Sequence, residues 1–356
     1  MAEQKVLMKG NEAIAEAAIR AGCKCFFGYP ITPQTELAEY MAKRMPKTEG
    51  GVFLQAESEV AAINMVMGAA AAGVRVMTSS SSPGISLKSE GISYIIGCDL
   101  PCVIVNIQRG GPGLGGIQAA QSDYFQATRA LGHGDSYAVV LAPSEIQEMV
   151  TLTAKAFDIA DKYRTPVMIL GDGAMGQMME PVVLPEPSDA EKIEKTWATS
   201  GHGNKREHNV VNSLYIEPNV LENIVKERFE RYATIKKEET LYEEYMTEDA
   251  DIVIAAFGIT ARIAKNAIKA AREQGIKAGL IRPITLWPFP DEVFAKVADT
   301  AKAFLCVEMN MGQMLEDVKL AVNGKKPVSF FGRTGGVVPT PREILAEIVK
   351  LSQEVK

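Results

Sequence analysis

The sequence predicts an α/β protein with a parallel sheet wound by helices, followed by a second, smaller α/β unit. From residue 10 to about 175, short β-branched or aromatic runs alternate with helical segments. The same rhythm resumes after residue 250 over fewer elements. At 356 residues the chain also exceeds the size at which a single core usually stops growing.

In order, the candidate strands of the first sheet are 24–28, 51–55, 74–78, 102–107, 137–141 and 166–170. Helices are expected between them at 12–21, 34–44, 58–72, 85–97, 118–131 and 144–163. Near Gly176 the pattern breaks at Pro181, Pro185 and Pro187, and then around Gly201-His202-Gly203-Asn204, which reads as connector. Residues 217–245 are rich in Lys, Arg and Glu, with a sparse apolar stripe at Leu221, Val225, Phe229 and Tyr232. That segment is either a solvated helix or one reaching across to another chain. Strands then recur at 251–257, 277–281, 302–307 and 328–331, and a helix over 341–351 closes the chain. The expected division is 1–180, a linker with a charged helix at 181–248, and 249–356.

A composition of 47% hydrophobic and 23% charged residues is that of an ordinary soluble protein, and a net charge of −6 without a basic run argues against nucleic-acid binding. No apolar stretch approaches the roughly 20 residues that span a bilayer. The start, Met1-Ala2-Glu3-Gln4-Lys5, has no signal-type core, so a cytoplasmic location is expected. Cys23, Cys25, Cys98, Cys102 and Cys306 match no iron–sulfur or structural-zinc spacing and read as reduced, mostly buried thiols. Any metal clusters serving this protein would sit in other chains.

Chemistry in such folds gathers at the carboxyl ends of strands. Strand 24–28 runs into Tyr29-Pro30-Ile31-Thr32-Pro33, and strand 51–55 into Glu57-Ser58-Glu59. Ser58 can cap a helix whose first turn favours Glu59; an acid ahead of the nearly uncharged run 60–74 is equally suited to exchanging a hydrogen bond or proton. Thr32 is likewise either an N-cap with Pro33 at the first helical position or a hydroxyl facing a ligand. Arg109 leaves strand 102–107 into a loop with five glycines in seven residues, Gly110 to Gly116. Its guanidinium fork and the loop amides suit a carboxylate, although a glycine-rich loop alone is weak ground. Ser79-Ser80-Ser81-Ser82-Pro83-Gly84 either lines the same crevice or forms a plain turn. Gly171-Asp172-Gly173 resembles the opening of a thiamine-diphosphate magnesium motif, but Asn204 is followed by Lys205 instead of a second asparagine, so Asp172 reads as a turn residue. His133, His202 and His208 lack metal spacing.

Four motifs in order resemble the alpha subunit of 2-oxoacid:ferredoxin oxidoreductases: Tyr29-Pro30-Ile31-Thr32-Pro33, Glu57-Ser58-Glu59-Val60-Ala61, Asn106-Ile107-Gln108-Arg109-Gly110-Gly111-Pro112 and Thr285-Leu286-Trp287-Pro288-Phe289-Pro290. Ser79 to Gly84, Gly113 to Gln118 and Gln121-Ser122-Asp123-Tyr124 look most like the branched-chain (3-methyl-2-oxobutanoate, ketoisovalerate) branch. The resemblance implies a thiamine-diphosphate-type pyrimidine-binding module, a six-stranded parallel sheet with helices on both faces, up to about residue 180. It further implies a transketolase C-terminal-like domain after 249. A partner beta subunit would supply the diphosphate-binding module and the Mg²⁺ ligands. Iron–sulfur clusters would lie in a gamma or ferredoxin-like subunit, with ferredoxin as acceptor and coenzyme A and a 2-oxoacid as substrates.

Carried over by motif, Glu59 is the carboxylate that faces the pyrimidine, and Tyr29 and Pro30 belong to the same cofactor site. A carboxyl bonded to a pyrimidine ring nitrogen favours the imino tautomer whose nitrogen removes the thiazolium proton. Thr32 and Arg109 fall where the family holds the substrate's carbonyl and carboxylate region. Two rival readings stand beside this one: the same reaction on 2-oxoglutarate, for which Lys88 could answer the second carboxylate, and a non-catalytic interaction subunit that completes a partner's fold.

Overall fold

The computed structural model describes residues 5–188 and 194–355. Its first part runs β1 (Lys5–Lys9), α1 (Gly10–Arg20), β2 (Cys25–Gly28), α2 (Thr35–Arg44), β3 (Val52–Gln55), α3 (Glu59–Ala71), β4 (Val76–Ser80), α4 (Ser82–Gly97), β5 (Cys102–Gln108), α5 (Tyr124–Thr128), β6 (Val139–Leu141), α6 (Ile146–Tyr163), β7 (Pro166–Asp172), α7 (Gly173–Gln177) and β8 (Met179–Val183). The second part runs α8 (Pro218–Glu239), β9 (Tyr242–Tyr245), β10 (Ile252–Ala255), α9 (Gly258–Glu273), β11 (Ala278–Pro283), β12 (Thr285–Trp287), α10 (Asp291–Val297), β13 (Ala303–Glu308), α11 (Met314–Val322), β14 (Val328–Gly332) and α12 (Pro341–Glu354).

The first sheet has the order β12-β6-β7-β5-β4-β2-β3. Its six parallel strands are those the sequence predicts. All seven residues of β5 and all seven of β7 are buried, and because strand side chains point alternately to opposite faces, both faces of the sheet are covered. The seventh strand was not expected. β12 belongs in sequence to the second part yet pairs antiparallel with β6, Thr285 opposite Leu141 and Trp287 opposite Val140. Trp287 stacks on Tyr137 with ring centroids 4.7 Å apart, and Tyr232 of α8 meets both rings edge-on.

The charged helix is therefore α8, and it is anchored. Tyr232 and Ile235 are buried, and Arg228 and Arg231 both pair with Asp99, whereas Leu221 and Phe229 stay exposed. The segment after it, taken as helix and connector, contains strand β9. It forms the antiparallel edge of the second sheet, β14-β13-β10-β11-β9. Arg282 of β11, nearly fully buried, donates to Glu148 of α6 at 2.6 and 2.8 Å and to Glu243 of β9 at 2.7 Å, joining the two parts by a charge-assisted fork. β1 and β8 form a further antiparallel pair.

One helix is much shorter than the sequence suggests. In place of a helix over 118–131, only Tyr124–Thr128 is helical. Residues before it bond to distant backbone instead of to each other: Gln121 N donates to Met309 O at 3.1 Å, its Nε2 donates to Phe257 O at 2.8 Å, and Ala119 bridges Arg109. Tertiary hydrogen bonds here replace the helical ladder.

Candidate active site

The carboxylate of Glu59 is placed by the junction of two helices. Ser58 caps α3 by accepting from Ala61 N at 3.1 Å, which fixes Glu59 as the first helical residue. Glu59 is buried, whereas Glu57 is exposed. The burial comes from α4, whose glycines bring it close to α3. A Cβ on Gly84 would lie 2.0 Å from Ser80 Oγ and 2.9 Å from Glu59 Oε1, and one on Gly91 would lie 2.4 Å from Ile63. The Glu59 carboxylate accepts no hydrogen bond among the described residues. Nearby, the hydroxyls of Thr78, Ser80 and Ser81 are buried and also without partners. The serine run forms no open loop. β4 continues through Ser80 and α4 begins at Ser82, so four successive hydroxyls, Ser79 to Ser82, are buried at a strand-to-helix junction.

Arg109 and Thr32 meet. Arg109 Nη1 donates to Thr32 O at 2.9 Å and Nη2 to Leu114 O at 3.2 Å, leaving Nε buried without a partner. The backbone of Arg109 is held by Ser82, whose Oγ accepts from its N–H at 3.1 Å. The first turn of α4 thus separates the two groups: Ser82 touches Arg109, and Gly84 touches Glu59. Tyr29, Pro30 and Thr32 are exposed. Thr32 does not cap α2, which starts at Thr35 with Gln34 as its N-cap residue. Gln34 is fully buried and ties the turn together, accepting from Ser79 Oγ at 2.6 Å and donating to Tyr29 O at 3.4 Å. Thr32 therefore lies one turn too early to serve the helix.

Beside this arrangement opens a cavity of about 730 Å³ between the N-terminus of α4, the Gly110–Gly113 loop and the loop at Asn310. Sequence reasoning missed two of its polar residues. Asp123 is buried, accepts from Ser82 Oγ at 2.5 Å and Asn106 Nδ2 at 2.9 Å, and its carboxyl is pushed up by burial against the pull of those two bonds. Asn310 donates to Gln121 O at 2.7 Å and accepts from Gly312 N and Gln313 N, closing the cavity from the second part of the chain. Asn310 carries no local signal beyond following β13, and Asp123 stood in the sequence only within Gln121-Ser122-Asp123-Tyr124, with no role attached to it.

Asp172 caps α7, accepting from Ala174 N at 2.9 Å and Met175 N at 3.1 Å, with burial pushing its carboxyl up to about 6. That matches its reading as a turn residue. All five cysteines are buried and free, and no cluster of three or more His, Cys, Asp or Glu is arranged to hold a metal among the described residues. No helix among them is long and apolar enough to cross a membrane.

Residues 16–244 match the family described as "Pyruvate flavodoxin/ferredoxin oxidoreductase, thiamine diP-bdg", and residues 250–344 match "Pyruvate:ferredoxin oxidoreductase core domain II". The chain belongs to the 2-oxoacid:ferredoxin oxidoreductase family. Within this family it is 48% identical to the ketoisovalerate oxidoreductase subunit VorB of Methanothermobacter marburgensis, over 98% of each chain. It is 36% identical to the 2-oxoglutarate synthase subunit KorA of Methanothermobacter thermautotrophicus, over 98% of this chain and 100% of that one. Among solved structures it resembles 2-oxoglutarate:ferredoxin oxidoreductase from Magnetococcus marinus with 2-oxoglutarate, coenzyme A and succinyl-CoA bound. That match has a TM-score of 0.89 and 28% identity, covering 99% of this chain; the chain spans 66% of the other's length. A split-gene transketolase shares the fold at a TM-score of 0.61 and 16% identity, over 98% of this chain and 99% of that one.

The residues of this family member fit the pyrimidine of thiamine diphosphate. Three buried hydroxyls without partners are unusual, because buried polar groups are nearly always paired, and the Glu59 carboxylate near them forms no hydrogen bond among the described residues. Together they offer an acceptor and several donors of the kind that ring nitrogens and an exocyclic amine require.

Proposed function

We propose that this chain is the catalytic alpha-type subunit of a heteromeric, thiamine-diphosphate-dependent 2-oxoacid:ferredoxin oxidoreductase that converts 3-methyl-2-oxobutanoate and coenzyme A to the branched acyl-CoA and carbon dioxide, with two electrons passing to ferredoxin. The observation that carries the chemistry is the buried, unbonded carboxylate of Glu59 at the start of α3; the 48% identity to a ketoisovalerate oxidoreductase subunit supports the substrate class. Thiamine diphosphate, when bound, supplies the electron sink that lets a 2-oxoacid lose carbon dioxide. A beta subunit provides the diphosphate and Mg²⁺ ligands, and iron–sulfur clusters in partner chains relay the electrons.

In this reading Glu59 bonds the pyrimidine ring nitrogen, exchanging a proton with it, while Tyr29 and Pro30 border the ring. Thr32 and Arg109 receive the carbonyl and carboxylate of the 2-oxoacid. The carbonyls of Thr32 and Leu114 hold the Arg109 fork in place before substrate arrives, which lowers the cost of ordering it. An acyl chain ending in a second carboxylate would need its own cation. Among the described residues that line the cavity none is Lys or Arg, whereas Pro83 and Leu87 offer apolar surface. Lys88, the candidate for that cation, is wholly buried and lines no part of the cavity.

Steady-state kinetics of the purified complex with 3-methyl-2-oxobutanoate, pyruvate and 2-oxoglutarate tests the assignment. The specificity constant is expected to be highest for the branched acid; a higher value for 2-oxoglutarate would reject the branched-chain reading and leave the family intact.

A further inference from the structure

Lys88 is the most unusual charged group in the protein. It is completely inaccessible to solvent, and its Nζ has neither a hydrogen-bond nor a salt-bridge partner among the described residues. A buried ammonium with no ligand is costly, and each such group in a folded protein calls for an explanation.

Its position supplies one. Lys88 lies four residues after Gly84 and three before Gly91, so all three share one face of α4. That face lies against Glu59 at Gly84 and against Ile63 at Gly91, and Glu59 and Ile63 are themselves one turn apart on α3. By this spacing the lysine lies along the seam between the two contact points, with its Nζ more than 4.0 Å from the carboxylate oxygens of Glu59. Burial favours its neutral form and lowers its pKa to about 8, while the charge of Glu59 pulls the other way. Other titratable groups on the surrounding elements have their own partners, Asp123 accepting from Ser82 at the start of α4 and from Asn106. Asp172 at the end of β7 is bonded to Ala174 and Met175, Glu90 of α4 accepts from Tyr94 at the surface, and Cys102 of β5 is a thiol pushed up to about 12 by burial. α3 carries no charged side chain besides Glu59.

We propose that Lys88 is a positioning residue, the internal counterion that aims the Glu59 carboxylate across the α3–α4 seam toward the cofactor side. The proposal rests on the reading of Glu59 as the cofactor-facing carboxylate. In this proposal Lys88, wholly buried and outside the cavity lining, acts through Glu59 and not by contact with substrate or cofactor.

The test follows the lysine directly in the full chain labelled with ¹³C at lysine Cε, the Lys88 resonance being assigned by its loss in Lys88→Met. In the wild-type chain it is expected to titrate well below a free lysine, at about 8. In Glu59→Gln, and in Glu59→Ala as a second variant, the midpoint should fall by on the order of one pH unit because the attraction is gone. An unmoved midpoint in both would overturn the pairing. In the assembled complex, Lys88→Met should lower kcat about tenfold with the KM for the 2-oxoacid unchanged, a barrier change of about 1.4 kcal/mol. A raised KM at unchanged kcat would make Lys88 a substrate contact and overturn the proposal. If instead the Lys88 resonance responds to Glu59→Gln but turnover does not, the pairing stands and the assignment of Glu59 fails.

Discussion

The guanidinium of Arg109 donates to the backbone carbonyl of Thr32 across 2.9 Å, joining the end of one central strand to the turn after another. Two residues far apart in sequence are thereby fixed in one corner of the crevice. The bond is to the carbonyl, and the Thr32 hydroxyl has no hydrogen-bond partner among the described residues.

Arg109→Met should raise the KM for the 2-oxoacid well beyond any fall in kcat, because on the proposed role its ion pair with the substrate would form on binding and end when the carboxylate departs. An unchanged KM, with the melting temperature lowered, would assign Arg109 to holding Thr32 and Leu114 alone.

Glu59→Gln preserves shape and part of the hydrogen bonding yet cannot exchange a carboxyl proton, so turnover of the complex should drop by ~10²-fold or more. Glu57→Gln, at an exposed position, should cost far less. Equal losses in the two variants would refute the choice of Glu59.

Gly84→Ala sets a methyl group against Ser80 Oγ and Glu59 and should destabilise the chain by roughly 1–3 kcal/mol in urea unfolding. Gly68→Ala is the control. Nothing lies within 4 Å of a Cβ there, so in the α3 interior it should stabilise by up to about 1 kcal/mol. The same sign for both would contradict the tight α3–α4 seam.

Stability should also depend on Lys88 at alkaline pH. Its pKa is about 8 when folded and near 10.5 when free, so between those values the unfolded chain holds more protons and raising the pH favours folding. The cost of the buried ammonium is fully present below pH 8 and gone above 10.5. Lys88→Met should therefore be more stable than wild type at pH 7, by on the order of 3 kcal/mol. Urea titrations at both ends of the window should show that advantage shrinking toward zero; a constant difference would mean that the lysine is neutral throughout.

The isolated chain should bind thiamine diphosphate only weakly, since pyrimidine contacts supply a small part of the binding energy. Sub-micromolar affinity by calorimetry on the pure chain would overturn the assignment of the diphosphate and Mg²⁺ ligands to a partner.

Much of this was legible in the sequence, and the parts that were not share a cause. All ten parallel strands lie close to where short apolar runs place them, because a strand buried on both faces is written locally. β9, β12 and the β1–β8 pair were missed, being short edge strands whose hydrogen bonds go to distant segments. The 118–131 helix failed for the same reason, since Gln121 and its neighbours bond across the molecule. Among the candidate site residues, Glu59, Thr32 and Arg109 stood out by their places at strand ends. Gln34, Asp123 and Asn310 did not, because an amide or carboxylate in a loop reads as solvated until a partner from another segment covers it. Lys88 was visible only as a nearby charge, and its burial follows from the close helix contact that Gly84 and Gly91 permit.

The strand β12 also dictates an order of events during synthesis. Until Thr285–Trp287 emerges from the ribosome, β6 presents an unpaired edge and Tyr137 a bare ring, although the six parallel strands are already made. A fragment cut anywhere before that point carries a sticky flank in place of a finished sheet.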